Sequence, residues 1–277
     1  MHKYLVSAFA ALALLAGCNS PDQSDRTPQQ QAQPAAAAQP VGNVINGTVT
    51  LRDPMQIGAG ARLDIKLVDV VQPQIPIAEK TDTVNGQPPF NFTLEFDPSK
   101  VDSTRTYVVN VTLTDGDRHF VPALNSPVLT GGAGATAQIV LNAEATPSEK
   151  MDAEFNRIQA HIGGMRKIEG TYTTDTASIG WDAFIKDGKI AFMRVNTVED
   201  KGGRSSVKYA FKDDKPMELA YKAGGITERV GWDETGQIVV NKKSDGTQVG
   251  DEDAKALYDE AVAALKRAQE KAGGSKK

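Results

Sequence analysis

Phe90-Asn91-Phe92-Thr93-Leu94-Glu95-Phe96 alternates apolar and polar residues without a break. An extended backbone turns its four apolar side chains to one side and the three polar ones to solvent, so the segment reads as a half-buried β-strand. Similar segments flank it. Ile45–Leu51 alternates in the same way, and Leu63–Val70 puts Leu63, Ile65 and Leu67 on one face. Tyr107–Leu113 and Ala137–Leu141 complete the set. Asp53-Pro54, Asn85-Gly86, Asp97-Pro98, Asp115-Gly116 and Gly131-Gly132 fill the gaps with residues that supply turn geometry. Short, regularly spaced strands with no helical period among them predict an antiparallel β-sandwich over residues 44–142.

Beyond it the period changes. Pro147-Ser148-Glu149-Lys150 reads as a helix start, with Ser148 as the capping type of residue and an acid in the first turn. Met151, Phe155, Ile158 and Ile162 then recur at helical spacing as far as Gly163-Gly164, a stripe that suits core packing. From Ile168 to Lys243 the chain reads as an antiparallel meander. Trp181–Ile185 faces Ile190–Val195 across Lys186-Asp187-Gly188-Lys189, a hairpin signal. Val207–Phe211 faces Met217–Tyr221, and Arg229–Trp232 faces Ile238–Val240. A last helix starts near Gly250, with Asp251, Glu252 and Asp253 in its first turn. Ala254, Leu257, Tyr258, Ala261 and Leu265 form its apolar face, and Lys266, Arg267 and Lys271 load its end. The fold class is therefore mainly β. A sandwich is followed by an α+β domain over 147–270 with two flanking helices, and 271–277 closes the chain as a disordered tail.

The N-terminus carries a different message. Met1-His2-Lys3 is a short positive region, and Tyr4–Ala16 is an apolar run of about a dozen residues, too short to span a bilayer as a helix. It ends in Leu15-Ala16-Gly17-Cys18, which resembles the bacterial lipobox, and Cys18 is the only cysteine in 277 residues. That motif implies a signal peptide over 1–17, cleavage between Gly17 and Cys18, and acylation of Cys18 as an S-diacylglycerol cysteine with a further N-acyl group such as palmitate. Several acyl chains at one residue hold durably, at about 0.8 kcal/mol for each buried methylene. Asn19, in the position where an aspartate would favour inner-membrane retention, points to the outer membrane; the expected localisation is lipid-anchored there, facing the periplasm. Residues 18–43, rich in Pro, Gln, Ala and Ser and without aromatics, read as a lipidated disordered tether.

A second resemblance runs through the first domain. Gly47-Thr48-Val49-Thr50, Leu63–Val70, Ile77-Ala78-Glu79, Pro89-Phe90-Asn91-Phe92, Phe96-Asp97-Pro98, Tyr107-Val108-Val109 and Pro127-Val128-Leu129-Thr130 occur in family order. Together, behind a lipobox, they resemble the YbaY-like lipoproteins, related to the lipoprotein chaperones (YscW-type pilotins) of type III secretion. The resemblance implies a β-sandwich in the cell envelope, no catalytic residues, and a secretin subunit as the partner carried to the outer membrane. It covers about 100 residues, and the C-terminal half resembles no family.

Composition and motifs narrow the chemistry. There are 31 basic and 35 acidic residues, and no basic stripe interleaved with aromatics, which argues against nucleic acid. With Cys18 lipidated, no thiol remains for a disulfide, a thiolate metal site or a nucleophile. Asp115, Asp117 and His119 carry ligand atoms but fall in a turn that favours such residues for backbone reasons, so no metal is expected there. Gly131–Gly134 lacks the lysine and helix of a phosphate loop. Ser205-Ser206 has no base and orienting acid in view, and His119 and His161 lie in different domains. The reading is non-enzymatic, with no cofactor. Three roles stay open: a binding or assembly-chaperone protein gripping an extended segment at a sheet edge, a structural or stress-related envelope lipoprotein without a dedicated client, and a carrier of a small amphiphile. The last would use Trp181, Phe184, Phe192 and Trp232 in a concave sheet.

Overall fold

The computed structural model describes residues 42–274. Cys18, its cleavage partner Gly17 and all but the last two tether residues lie outside them. The architecture is mainly β, as expected, in two sheets with two helices.

The first sheet holds β1 (Val44–Leu51), β2 (Ala61–Asp69), β3 (Pro76–Val84), β4 (Phe90–Glu95), β5 (Tyr107–Asp115), β6 (Arg118–Pro122), β7 (Ser126–Val128) and β8 (Thr136–Ala143). Its order is β3-β2-β5-β6-β8-β1-β4, with β7 on β5. The expected sandwich is thus one continuous sheet curled around its own core. One pair departs from the antiparallel expectation: β1 and β8 run parallel, with Asn46 opposite Thr136 and Leu51 opposite Leu141. Phe90, Phe92, Leu94 and Phe96 all point inward and are buried, as their alternation predicts. They pack on Ile45, Val49, Leu63, Ile65, Leu67, Val111, Leu113 and Ile139, and each such side chain contributes about 1.5–3 kcal/mol on burial.

Gly47 is the tight point of this core. It pairs with Phe92 on β4 and Ala137 on β8, and a Cβ there would strike the Phe92 ring and lie 2.8 Å from the Ala137 carbonyl oxygen. A backbone atom cannot swing aside, so Gly47→Ala is expected to lower stability by about 1–3 kcal/mol. Urea unfolding followed by tyrosine and tryptophan fluorescence checks this.

The second sheet is a pure antiparallel meander of β9 (Arg166–Thr173), β10 (Ala177–Lys186), β11 (Lys189–Glu199), β12 (Arg204–Lys212), β13 (Lys215–Ala223), β14 (Ile226–Trp232) and β15 (Ile238–Lys243). Asp187-Gly188 and Asp213-Asp214 take positive φ in their hairpin turns, where short acidic residues tolerate the left-handed conformation. Helix α1 (Pro147–Ala160) covers part of one face and α2 (Asp251–Gly274) the other. The cap of α1 is Thr146, not Ser148. Its hydroxyl accepts from the Glu149 N–H while the Glu149 carboxylate accepts from the Thr146 N–H, a capping box with Pro147 in the first turn. Helix α2 runs to Gly274, so residues 271–274, expected to belong to a disordered tail, are helical, and the rest of that tail lies outside the described residues. Ala254, Ala261, Leu265 and Ala268 are its buried stripe, and the Tyr209 hydroxyl donates to Glu260 at 3.1 Å beneath it.

Arg118 on β6 grips Glu149 with two nitrogens, at 3.0 and 2.5 Å, and also donates to the Glu144 carbonyl at 3.1 Å. One guanidinium thereby ties the first sheet to the start of α1. The Arg118 bond and the Thr146 N–H hold the Glu149 carboxyl down at about 2.

Candidate functional site

The first sheet nearly closes into a barrel but stops short. β3 and β4 are its two free edges, consecutive in the chain and joined only by residues 85–89, and no ladder links them. Each keeps a row of outward N–H and C=O groups, which is what an added strand pairs with.

The two rims differ. On β4, Asn91, Thr93 and Glu95 face solvent while the apolar set is buried. Across β1 the Thr48 hydroxyl donates to Asn91 and the Thr93 hydroxyl to Asn46, both at 3.0 Å, which stiffens that rim. On β3, Ile77, Ala78 and Val84 are only partly buried against the core, and Glu79, Lys80, Thr81 and Thr83 are exposed. The Thr81 hydroxyl donates to Asp64 at 2.6 Å, anchoring β3 to β2, and within β2 the Arg62 Nε donates to the same carboxylate at 2.8 Å. Burial alone would raise the Asp64 carboxyl, but these two bonds hold it below the usual range.

Both ends of the gap are shaped. A depression of about 430 Å³ beside it is lined by Lys80 from β3, Asn91 and Thr93 from β4, and Asn46 and Thr48 from β1. At the 85–89 link, Gln87 exchanges two 3.0 Å hydrogen bonds with the Ile57 backbone and the Gly60 N–H reaches the Val84 carbonyl. A second hollow of about 430 Å³ lies there, walled by Leu51, Pro54, Met55 and Pro88-Pro89. The arrangement can bind an extended chain. It offers strand edges, half-buried apolar side chains on one rim and a fixed base.

The other candidates fall elsewhere. Asp115 accepts from the Gly58 N–H at 2.9 Å, His119 Nδ1 lies 3.2 Å from the Thr114 hydroxyl, and Arg118 is engaged with Glu149, so the Asp115–His119 turn serves the fold. Among the described residues no cluster of three or more His, Cys, Asp or Glu side chains could hold a metal. His161 ends α1 with Nδ1 2.7 Å from the Arg157 carbonyl, and Ser205-Ser206 lies within β12. The carrier reading loses its aromatic wall. Trp181 and Trp232 pack under α2, Phe184 and Phe192 under α1, and all four are buried on opposite faces of the sheet. A 610 Å³ groove by the start of α1 is lined by Met151, Pro216, Met217 and Trp232, but its rim mixes lysines with acids. No described helix is long and apolar enough to cross a membrane.

The β3–β4 gap went unread in the sequence because β3 itself was not read as a strand. Only the ordered motif Ile77-Ala78-Glu79 marked the place.

The family match falls on the same domain. Residues 41–141 match the family model described as the type III secretion system lipoprotein chaperone (YscW). No curated protein matches significantly. Among solved structures, an alternative pilotin from the type II secretion system of Vibrio cholerae is 24% identical, over 37% of this chain and 96% of that one, with a TM-score of 0.35. The first domain thus carries the lipoprotein-chaperone match that its ordered strand motifs predict, and residues beyond 141 lie outside it.

Proposed function

We propose that this chain is a non-enzymatic, pilotin-like envelope lipoprotein. In this reading Cys18 is acylated and holds it on the outer membrane facing the periplasm, while the first domain grips an extended segment of an envelope protein. The observation that carries it is the coincidence of the chaperone match at 41–141 with a sheet left open between β3 and β4. An added strand would pair with the unbonded backbone and cover Ile77, Ala78 and Val84. A secretin subunit is the client that the resemblance implies.

The test uses the full-length protein in its own membranes. A photo-crosslinking residue at Thr83 or Asn91, both exposed on the rims, is expected to trap one envelope protein, while the same residue at Glu252 on α2 traps none. Equal labelling at all three positions would sink the edge-binding reading. Separately, Cys18→Ser is expected to move the protein from the membrane to the soluble fraction. Firm membrane retention of that variant would overturn the anchor.

A further inference from the structure

Helix α1 covers only part of its face of the meander. Beneath it lie Phe184, Phe192, Ala210 and Met217. Farther along the same strands the register sets out open rows on that face. One runs Asp182, Arg194, Lys208 across β10–β12. The next runs Thr171, Gly180, Asn196, Ser206, Lys222, Thr227 across β9–β14. Arg204 lies one row beyond, opposite Val198.

The second of these rows is a trough. Its side chains are small or polar, and a Cβ on Gly180 would meet nothing within 4 Å. Depressions of about 460 and 530 Å³ share Asn196 and together run from Glu169 on β9 to Lys222 on β13. Its charge is positive along β11–β13, while the two acids at its β9 end, Glu169 and Asp182, are met by Lys167 and Arg194. Elsewhere in this domain about half of the described lysines and arginines are ion-paired, as in Lys189 with Asp213 and Lys243 with Glu228. Among the described residues Arg204, Lys208 and Lys222 have no carboxylate within ion-pair distance. Arg194 meets Asp182 at 2.8 Å through one nitrogen, while its buried Nε has no partner among the described residues. This cationic strip stands on a chain whose formal net charge is −4.

We propose that this trough docks an acidic, extended polypeptide segment lying beside α1, a second contact independent of the β3–β4 gap. An apolar partner finds no apolar floor here. A flat membrane surface is held off because α1, about 10 Å across, stands on the same face. Six strands at about 4.8 Å spacing give a track of about 24 Å, the length of roughly seven extended residues. Carboxylates on such a segment would meet Arg194, Lys208, Lys222 and Arg204, and its backbone would meet Asn196 and Ser206.

The test is fluorescence anisotropy of the full-length protein in detergent with a labelled octapeptide alternating Glu and Ser. Binding is expected at about 50 mM salt and should weaken strongly toward about 300 mM, where screening shortens the reach of the charges. Lys208→Glu with Lys222→Glu is expected to weaken it by about tenfold or more. Lys266→Glu with Lys271→Glu, the same charge change on α2, should shift it less than about twofold. Equal losses in the two double variants would overturn the proposal, as would equal binding of a Lys-Ser octapeptide. So would strip-dependent binding to phosphatidylglycerol vesicles without peptide binding. Should the first double variant unfold, Arg204→Glu at the exposed start of β12 carries the same test.

Discussion

Replacing Arg229 by methionine is expected to lower the unfolding free energy by about 3–5 kcal/mol at pH 8. Arg229 lies under α1 between two carboxylates. Its Nη2 is 3.1 Å from Asp152 and in ion contact with Glu218, whose side chain is fully buried on β13. Lys242 closes the group from the other side of Asp152. Neither Glu218 oxygen has an aligned hydrogen bond, so the guanidinium's charge is its main compensation. Methionine keeps much of the packing over the Phe155 ring, which lies 4.8 Å from the guanidinium carbon, but leaves two acids facing each other. Burial first, then the Asp152 charge, outweigh Arg229 and push the Glu218 carboxyl up to about 7. The folded state therefore holds this proton more tightly than the unfolded chain does. Its stabilising effect is complete below about 4.5 and is lost as pH rises through about 7, a change on the order of 3 kcal/mol. Two results follow. Urea unfolding at pH 5 and pH 8 should show a difference that Glu218→Gln removes, and Glu218→Gln should restore most of the stability lost in Arg229→Met. An unchanged pH difference in Glu218→Gln would refute this account of the cluster.

The second large effect is expected at Phe192. It is fully buried on β11, with its ring edge-on to Phe155 of α1 at 5.6 Å and tilted against Phe184 at 6.4 Å. The buried apolar contact of α1 with the sheet gathers around it, through Phe155, Ile158, Ala210 and Met217. Phe192→Ala removes that hub and leaves a cavity, with an expected loss of about 3–5 kcal/mol. Hydrogen exchange locates the damage. Amides of α1 should lose protection well before those of α2, whose contacts with Trp181, Leu219 and Trp232 lie on the other face. Equal loss in both helices would mean that the two faces are not separable.

Much of this architecture was legible where one face of an element is buried. Phe90–Phe96 and the Lys186–Lys189 hairpin fall where their patterns place them, because alternation and a two-residue turn each report a local constraint. The stripe of α1 was equally plain. β3 escaped because it is an edge strand: Glu79, Lys80, Thr81 and Thr83 are exposed, so no face carries a periodic signal. The β1–β8 pair escaped because nothing local says which distant strands meet. Thr146 was readable and missed, since Thr146-Pro147-Ser148-Glu149 has the spacing of a capping box. The gap between β3 and β4 depends on closure of a whole sheet, and no single segment encodes that. Arg194, Lys208 and Lys222 stand 14 residues apart in turn, a spacing that looks arbitrary until the meander folds them onto one face.

Parallel pairing of β1 with β8 has a mechanical consequence. Because the two strands run the same way, the chain enters this domain at one end of the pair and leaves it at the other, about 26 Å away for eight residues. Tension between a fixed N-terminus and a load on the distal module would act along these strands in shear. Six aligned positions, Asn46–Leu51 against Thr136–Leu141, would have to yield together instead of peeling one by one. The domain is strung so that pulling loads this parallel seam lengthwise, all six positions at once.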